Sequence, residues 1–365
     1  MEADYGCLLK NSLIRSFAHF KPFNLNASFK AIIDLNFEGL PKEYSNFSMT
    51  RLPDSQCLIH AFNNDSDNYD AYSVDFDTLK TTRLELDMCD VINCLIEGEY
   101  MLVMAYFEPM IILRDMEYIG QIEFDEKHKC CKNGYLISGR YIQQVDKTIY
   151  AVDYHGCLYR IEWQDIKDCL YRKKLVRSKV ENFYVDRELC LTTVNVDGTL
   201  SLESGVEVDL RQRIDSQTKF TIVTYIAKYW IISADIDCDG KAIIASISKQ
   251  GKIKSTLKLK LTCNGYNNEC MGLKFGGIFS LHQAYFRGMR GIILATERDG
   301  CCHLISVAYG RMSKLQSIDS IVPVDVVECV DKRDFVVLSV AATGTKGEFI
   351  AGGFGWNRRI TIKLI

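Results

Sequence analysis

Ala295-Thr296-Glu297-Arg298-Asp299-Gly300, running into Cys301-Cys302-His303-Leu304-Ile305, is the stretch that decides the fold. An apolar run ends in a short polar segment closed by glycine, and an alternating run follows. Glycine supplies the positive φ that tight hairpin turns need, so the stretch reads as two strands joined by a turn. The same arrangement occurs at Ala151–Gly156 before Cys157–Ile161 and at Thr193–Gly198 before Thr199–Leu202. A weaker copy is Ser246–Gly251 before Lys252-Ile253. A hairpin that returns at roughly 45–50 residues indicates a β-propeller, in which each repeat is one blade.

Outward from these turns the chain is all-β. Runs of β-branched and aromatic residues are punctuated by Gly, Asn and Asp. They group into seven blades at approximately 28–87, 89–125, 134–163, 179–210, 219–261, 276–318 and 321–365. The first blade includes Ala31–Phe37, and Cys7–Phe17 is expected to add the outer strand that closes the last blade. Closure of that kind leaves no free sheet edge between the first and last blades. Gln164–Lys174 reads as an inter-blade loop or a short helical turn. With no low-complexity linker, residues 1–365 are expected to form one closed propeller.

Composition narrows the function classes. The 365 residues are 47% apolar and 25% charged, and the net charge of −3 lacks the basic excess of a dedicated nucleic-acid binder. Met1–Phe20 carries Asp4, Lys10, Arg15 and His19 without a long apolar run, so it does not read as a secretory leader. The 15 scattered cysteines then point to free thiols in a reducing compartment, and a cytoplasmic location is expected. The longest apolar stretch, Tyr100–Leu113, is broken by Glu108-Pro109 and is too short to span a bilayer.

Several clusters carry possible chemistry. His128, Cys130 and Cys131 lie together, as do Cys301, Cys302 and His303, but no C-x₂-C pair occurs. Strand alternation sends Cys302 to one face and Cys301 and His303 to the other. Buried thiols and a surface histidine are therefore expected, with no metal. Gly352-Gly353-Phe354-Gly355 reads as a blade turn, and no nucleophile elbow or phosphate loop is present. Acidic residues recur at the turns: Asp153, Asp197, Asp235, Asp237, Asp239 and Asp299. They suit ordinary turn capping, or an acidic rim that holds a cationic ligand. Tyr171-Arg172-Lys173-Lys174 with Arg177 and Lys179 is the densest basic run, read as a solvated loop or a patch for an acidic or RNA-bearing partner. Tyr225, Tyr229 and Trp230 read as core.

Four ordered stretches of the second half resemble the diphthine methyltransferases, which hydrolyse the methyl ester of methylated diphthine. They are Leu191–Leu202, Tyr229–Ile247, Gly276–His282 with Gly291–Leu304, and Asp319–Val322 with the terminal FIAGGFGWNRRITIKLI. WD-repeat proteins in general place Trp-Asp and Gly-His dipeptides in each blade, and neither stands in register here. The resemblance implies ester hydrolysis on elongation factor 2, with no cofactor and with the substrate's trimethylammonium group held at an acidic channel mouth. Asp197, Asp239, Asp299, His282 and His303 are the candidate catalytic residues, with His155 as a further base. Phe279 stands where the family has Trp, and Gly353–Trp356 lacks the family's acidic position. The alternative is a non-catalytic scaffold that binds another protein partner.

Overall fold

Alternating apolar residues on both faces of a strand need a partner on each side, and a ring of sheets supplies one. The computed structural model describes residues 25–40, 44–51, 56–63, 68–84, 91–105, 110–115, 117–122, 142–153, 156–186, 189–214, 219–226, 228–236, 241–260, 266–268, 273–275, 278–288, 290–297, 300–323, 339–353 and 356–365. Among these are seven four-stranded antiparallel sheets and one two-stranded hairpin.

Strand β1 (Ala27–Asp34) comes first among the described strands and last in the ring. The first blade is β2 (Tyr44–Arg51), β3 (Gln56–Asn63), β4 (Asn68–Asp75) and β5 (Thr81–Leu84). The second is β6 (Val91–Glu97), β7 (Tyr100–Ala105), β8 (Met110–Arg114) and β9 (Glu117–Ile122). The third is β10 (Ile142–Val145), β11 (Thr148–Val152), β12 (Leu158–Glu162) and β13 (Lys174–Arg177), with the short helix α1 (Trp163–Lys167) between its last two strands. The fourth is β14 (Val180–Val185), β15 (Leu191–Asn195), β16 (Thr199–Ser201) and β17 (Glu207–Asp209), followed by one turn of helix, α2 (Leu210–Arg213). The fifth is β18 (Lys219–Ile226), β19 (Tyr229–Ile236), β20 (Lys241–Ser248) and β21 (Ile253–Lys260). The hairpin β22 (Tyr266–Asn268) and β23 (Leu273–Phe275) precedes the sixth blade. That blade is β24 (Ile278–Arg287), β25 (Arg290–Glu297), β26 (Cys302–Ala308) and β27 (Arg311–Ile318). The seventh is β28 (Ser339–Ala342), β29 (Glu348–Gly353), β30 (Trp356–Leu364) and β1.

From β28 through β2, β6, β10, β14 and β18 to β24, each innermost strand touches the next. The core is not one mass but seven seams. In β19, Trp230 and Ile232 face the fourth blade while Ile231 faces the sixth. In β7, Met101 and Val103 face the first blade while Leu102 and Met104 face the third. Period-two alternation thus loads two seams from every inner strand. The ring closes where Ala341 and Ile350 of the seventh blade meet Met49, Cys57 and Ile59 of the first.

The closing strand differs from expectation. Ala27–Asp34 pairs with β30, from Ala27↔Leu364 to Asp34↔Arg358, and does not belong to the first blade. Arg358 binds the Asp34 carboxylate, and the Leu35 N–H donates to the Asn357 carbonyl at 2.8 Å. The Phe29 N–H reaches the Gln316 side chain of the sixth blade at 3.1 Å. Cys7–Phe17 lies outside the described residues. So do Tyr135–Ser138 of the third blade and Val324–Cys329 of the last. Lys174–Arg177 is also a strand where a loop was the expectation, because it completes the third blade against β12.

Three of the recurring turns join second strands to third strands, whereas the weaker copy, Ser246–Gly251, joins the third and fourth strands of the fifth blade. Gly156, Gly198 and Gly300 have φ of +77°, +85° and +92°. Each glycine carbonyl accepts an N–H from the connection that leaves the same blade: Val180 at 2.9 Å, Leu210 at 3.2 Å and Ile321 at 2.9 Å. The turns and the crossovers therefore share one rim of the ring. Among the described residues no helix is long and apolar enough to cross a membrane.

Candidate functional site

That rim is where the candidate acids were expected to gather. Asp197 is exposed there, and its carboxylate accepts the Thr199 N–H at 2.8 Å. This hydrogen bond holds its pKa below the usual carboxylate range. Asp153 is buried and accepts the Cys157 N–H at 2.8 Å. Both side chains therefore cap their own turns. Asp239, Asp299 and His155 lie outside the described residues, as do His128, Cys130 and Cys131.

The two candidate histidines of the sixth blade lie on opposite faces of one sheet. His282, on β24, turns toward the seventh blade and packs on Phe349 with ring centroids 5.6 Å apart. Its Nε2 is buried without a hydrogen-bond partner among the described residues. Loss of hydration disfavours the imidazolium and pushes the pKa down to about 4. His282 is thus neutral at pH 7.

His303 sits opposite Ala295 in the β25–β26 register and so faces the fifth blade with it. A surface histidine was the expectation; instead His303 is 3% exposed. Its Nδ1 lies 2.8 Å from Ser317 Oγ and its Nε2 lies 2.6 Å from Glu297 Oε1. Cys301 Sγ stands 3.7 Å from the same Nε2. Cys302 points the other way, into the seam with the seventh blade, as alternation requires. Glu297 is fully buried and was not among the candidate residues. Its signal in the sequence is spacing: it directly precedes the turn, across from Cys301, two residues beyond the partner of His303. A hairpin with that spacing puts all three on one face.

Other expectations fall into place by packing. Trp230 is buried at the seam of the fourth and fifth blades, its ring 4.5 Å from Tyr225 and 5.6 Å from Tyr184. These rings are core. The basic run behaves differently. All four residues of β13, Lys174-Leu175-Val176-Arg177, are exposed, including Leu175 at 55% and Val176 at 40%. Among the described outer strands no other lacks a buried or half-buried residue. Leu170, just before it, is 45% exposed. Lys173 Nζ stands 4.9 Å from the centre of the Tyr159 ring.

No family model matches the sequence, and no curated protein gives a significant match. Solved structures do match. The crystal structure of BBS1N in complex with ARL6DN aligns at a TM-score of 0.55 and 10% identity, over 92% of this chain and 96% of that one. The C-terminal WD40 domain of Sif2 aligns at 0.53 and 9% identity, over 92% and 99%. The WD40 propeller domain of Doa1 aligns at 0.52 and 10% identity, over 92% and 97%. At such identities the likeness establishes the fold, a seven-bladed WD40-like propeller, and nothing finer.

Proposed function

We propose that this propeller is a scaffold that docks a protein partner, and that β13 with the basic residues around it is the docking edge. The exposed apolar pair Leu175 and Val176 on a sheet edge carries the reading. An outer strand offers unpaired backbone donors and acceptors to an extended segment. Arg172, Lys173, Lys174, Arg177 and Lys179 around it select a segment rich in Asp and Glu. One of the structurally similar propellers, BBS1N, is itself held in complex with another protein. The test is affinity purification of the tagged chain and of a Leu175→Asp/Val176→Asp variant, with matching circular dichroism. The expected result is a stoichiometric partner retained by the wild type and lost by the variant. Equal retention by both would move the docking surface elsewhere.

A second reading is the ester hydrolysis implied by the family resemblance, with Asp197, Asp239 and Asp299 as its acidic rim and His282 or His303 as base. Asp197 favours it, as an ionised and exposed carboxylate on the rim where a trimethylammonium group would be held. Mass spectrometry of elongation factor 2 from a deletion strain decides. Accumulated methylated diphthine supports hydrolysis, and normal diphthamide removes it.

A further inference from the structure

We propose that Glu297, Cys301 and His303 form a binding site for a zinc ion at the rim of the sixth blade. The hairpin that decides the fold also builds this site. The Glu297 N–H donates to the Cys301 carbonyl at 2.8 Å, and the Gly300 N–H donates to the Glu297 carbonyl at 3.1 Å. With Gly300 at φ +92°, the turn sets Glu297 directly across from Cys301, and alternation brings His303 to the same face. The three ligand atoms all lie within 4.8 Å of one another.

The chemistry of the set is specific. One carboxylate oxygen, one imidazole nitrogen and one thiol sulfur match zinc, whereas calcium and magnesium prefer oxygen alone and copper(I) prefers sulfur. Around a tetrahedral zinc, nitrogen and sulfur ligands stand about 3.6 Å apart, and nitrogen and oxygen ligands about 3.3 Å apart. Cys301 Sγ and His303 Nε2 stand at 3.7 Å already. Glu297 Oε1, at 2.6 Å from Nε2, needs to withdraw by about 0.7 Å, a small rotation of its side chain. On its far side, His303 Nδ1 faces Ser317 Oγ at 2.8 Å. With zinc bound, a proton on Nδ1 donated to that hydroxyl frees the Nε2 lone pair for the ion and orients the ring, as outer hydrogen bonds do for metal-bound histidines.

Charge points the same way. Glu297, Cys301 and His303 are 0%, 1% and 3% exposed. A divalent cation with one carboxylate, one thiolate and one neutral imidazole is electrically balanced, and binding releases the thiol proton. With three protein ligands, water completes the tetrahedron.

The test uses the full chain stripped with a chelator, loaded with Zn²⁺ or Co²⁺, and freed of excess metal by gel filtration. About one zinc per chain is expected, with X-ray absorption showing one sulfur and three oxygen or nitrogen neighbours. Cobalt is expected to give a thiolate charge-transfer band and the strong visible bands of tetrahedral geometry. Cys301→Ser should abolish the charge-transfer band and weaken retention at least about tenfold. A Cys130→Ser/Cys131→Ser double variant should bind as the wild type does. Failure of the wild type to retain zinc overturns the proposal. So does ligation by two or more sulfurs, or a band that survives in Cys301→Ser. The absorption spectrum needs no variant, so a folding defect in Cys301→Ser leaves the test intact.

Discussion

Gly156 has a φ of +77°, and a Cβ there would stand 2.9 Å from the Val180 carbonyl oxygen. Gly205 has nearly the same φ, +78°, with nothing within 4 Å. Alanine at either site bears the strain of the left-handed region, about 1 kcal/mol. At Gly156 it also displaces the crossover whose N–H the same glycine's carbonyl accepts. Gly156→Ala should therefore lose about 1–2 kcal/mol more than Gly205→Ala in urea denaturation, and equal losses would show that the contact relaxes freely. His282 gives a pH signature. Its ordinary pKa of 6.5 falls to about 4 in the fold, so the unfolded chain takes up the proton first. The residue costs nothing above pH 6.5. It lowers stability progressively from there to about pH 4, by up to about 3 kcal/mol. Subtracting the stability profile of a His282→Leu variant should isolate that slope; parallel profiles would mean that the ring is hydrated.

At the scale of elements, the closing strand governs stability. A chain that begins at residue 35 lacks β1 and leaves β30, with its buried Trp356, Ile360 and Ile362, as an open apolar edge. It should melt at lower temperature and bind a hydrophobic dye. Unchanged melting would mean that another segment covers β30. The turns were legible in the sequence because glycine and aspartate state their own local geometry. The identity of the outer strand was not, since Ala27–Asp34 has strand character wherever it pairs. Lys174–Arg177 hides its strand character for the converse reason: four exposed residues show no alternation, and only pairing with β12 makes them a strand.

Over the whole molecule, stability is distributed among seven seams, and each blade shares its apolar residues with two neighbours. Ile231 and Ile350 are fully buried at different seams, between the fifth and sixth blades and between the seventh and first. Truncating either to alanine should cost about 2–5 kcal/mol. Because no blade can bury its faces alone, unfolding should remain one transition in both variants. The tryptophans report on three seams: Trp163 on the second and third blades, Trp230 on the fourth and fifth, and Trp356 on the sixth and seventh. Fluorescence and far-ultraviolet dichroism should therefore coincide along a urea titration, and separated curves would reveal blades that unfold singly.

Repeated turn chemistry and alternating apolar runs determine, from the sequence alone, that the chain is all-β, that its unit is a hairpin, and that the units repeat as the blades of a propeller; the count of seven is fixed by the sheets of the ring. These are local properties, carried by φ preferences and by the two-residue period of a strand. Tertiary structure alone decided the rest. It chose β1 to close the ring and turned His282 and His303 to opposite faces of one sheet. It also buried Glu297, Cys301 and His303, which the hairpin register had set on one face, against the fifth blade. Those outcomes depend on register and on which blade stands next, and the faces that end up buried are set only when the ring closes.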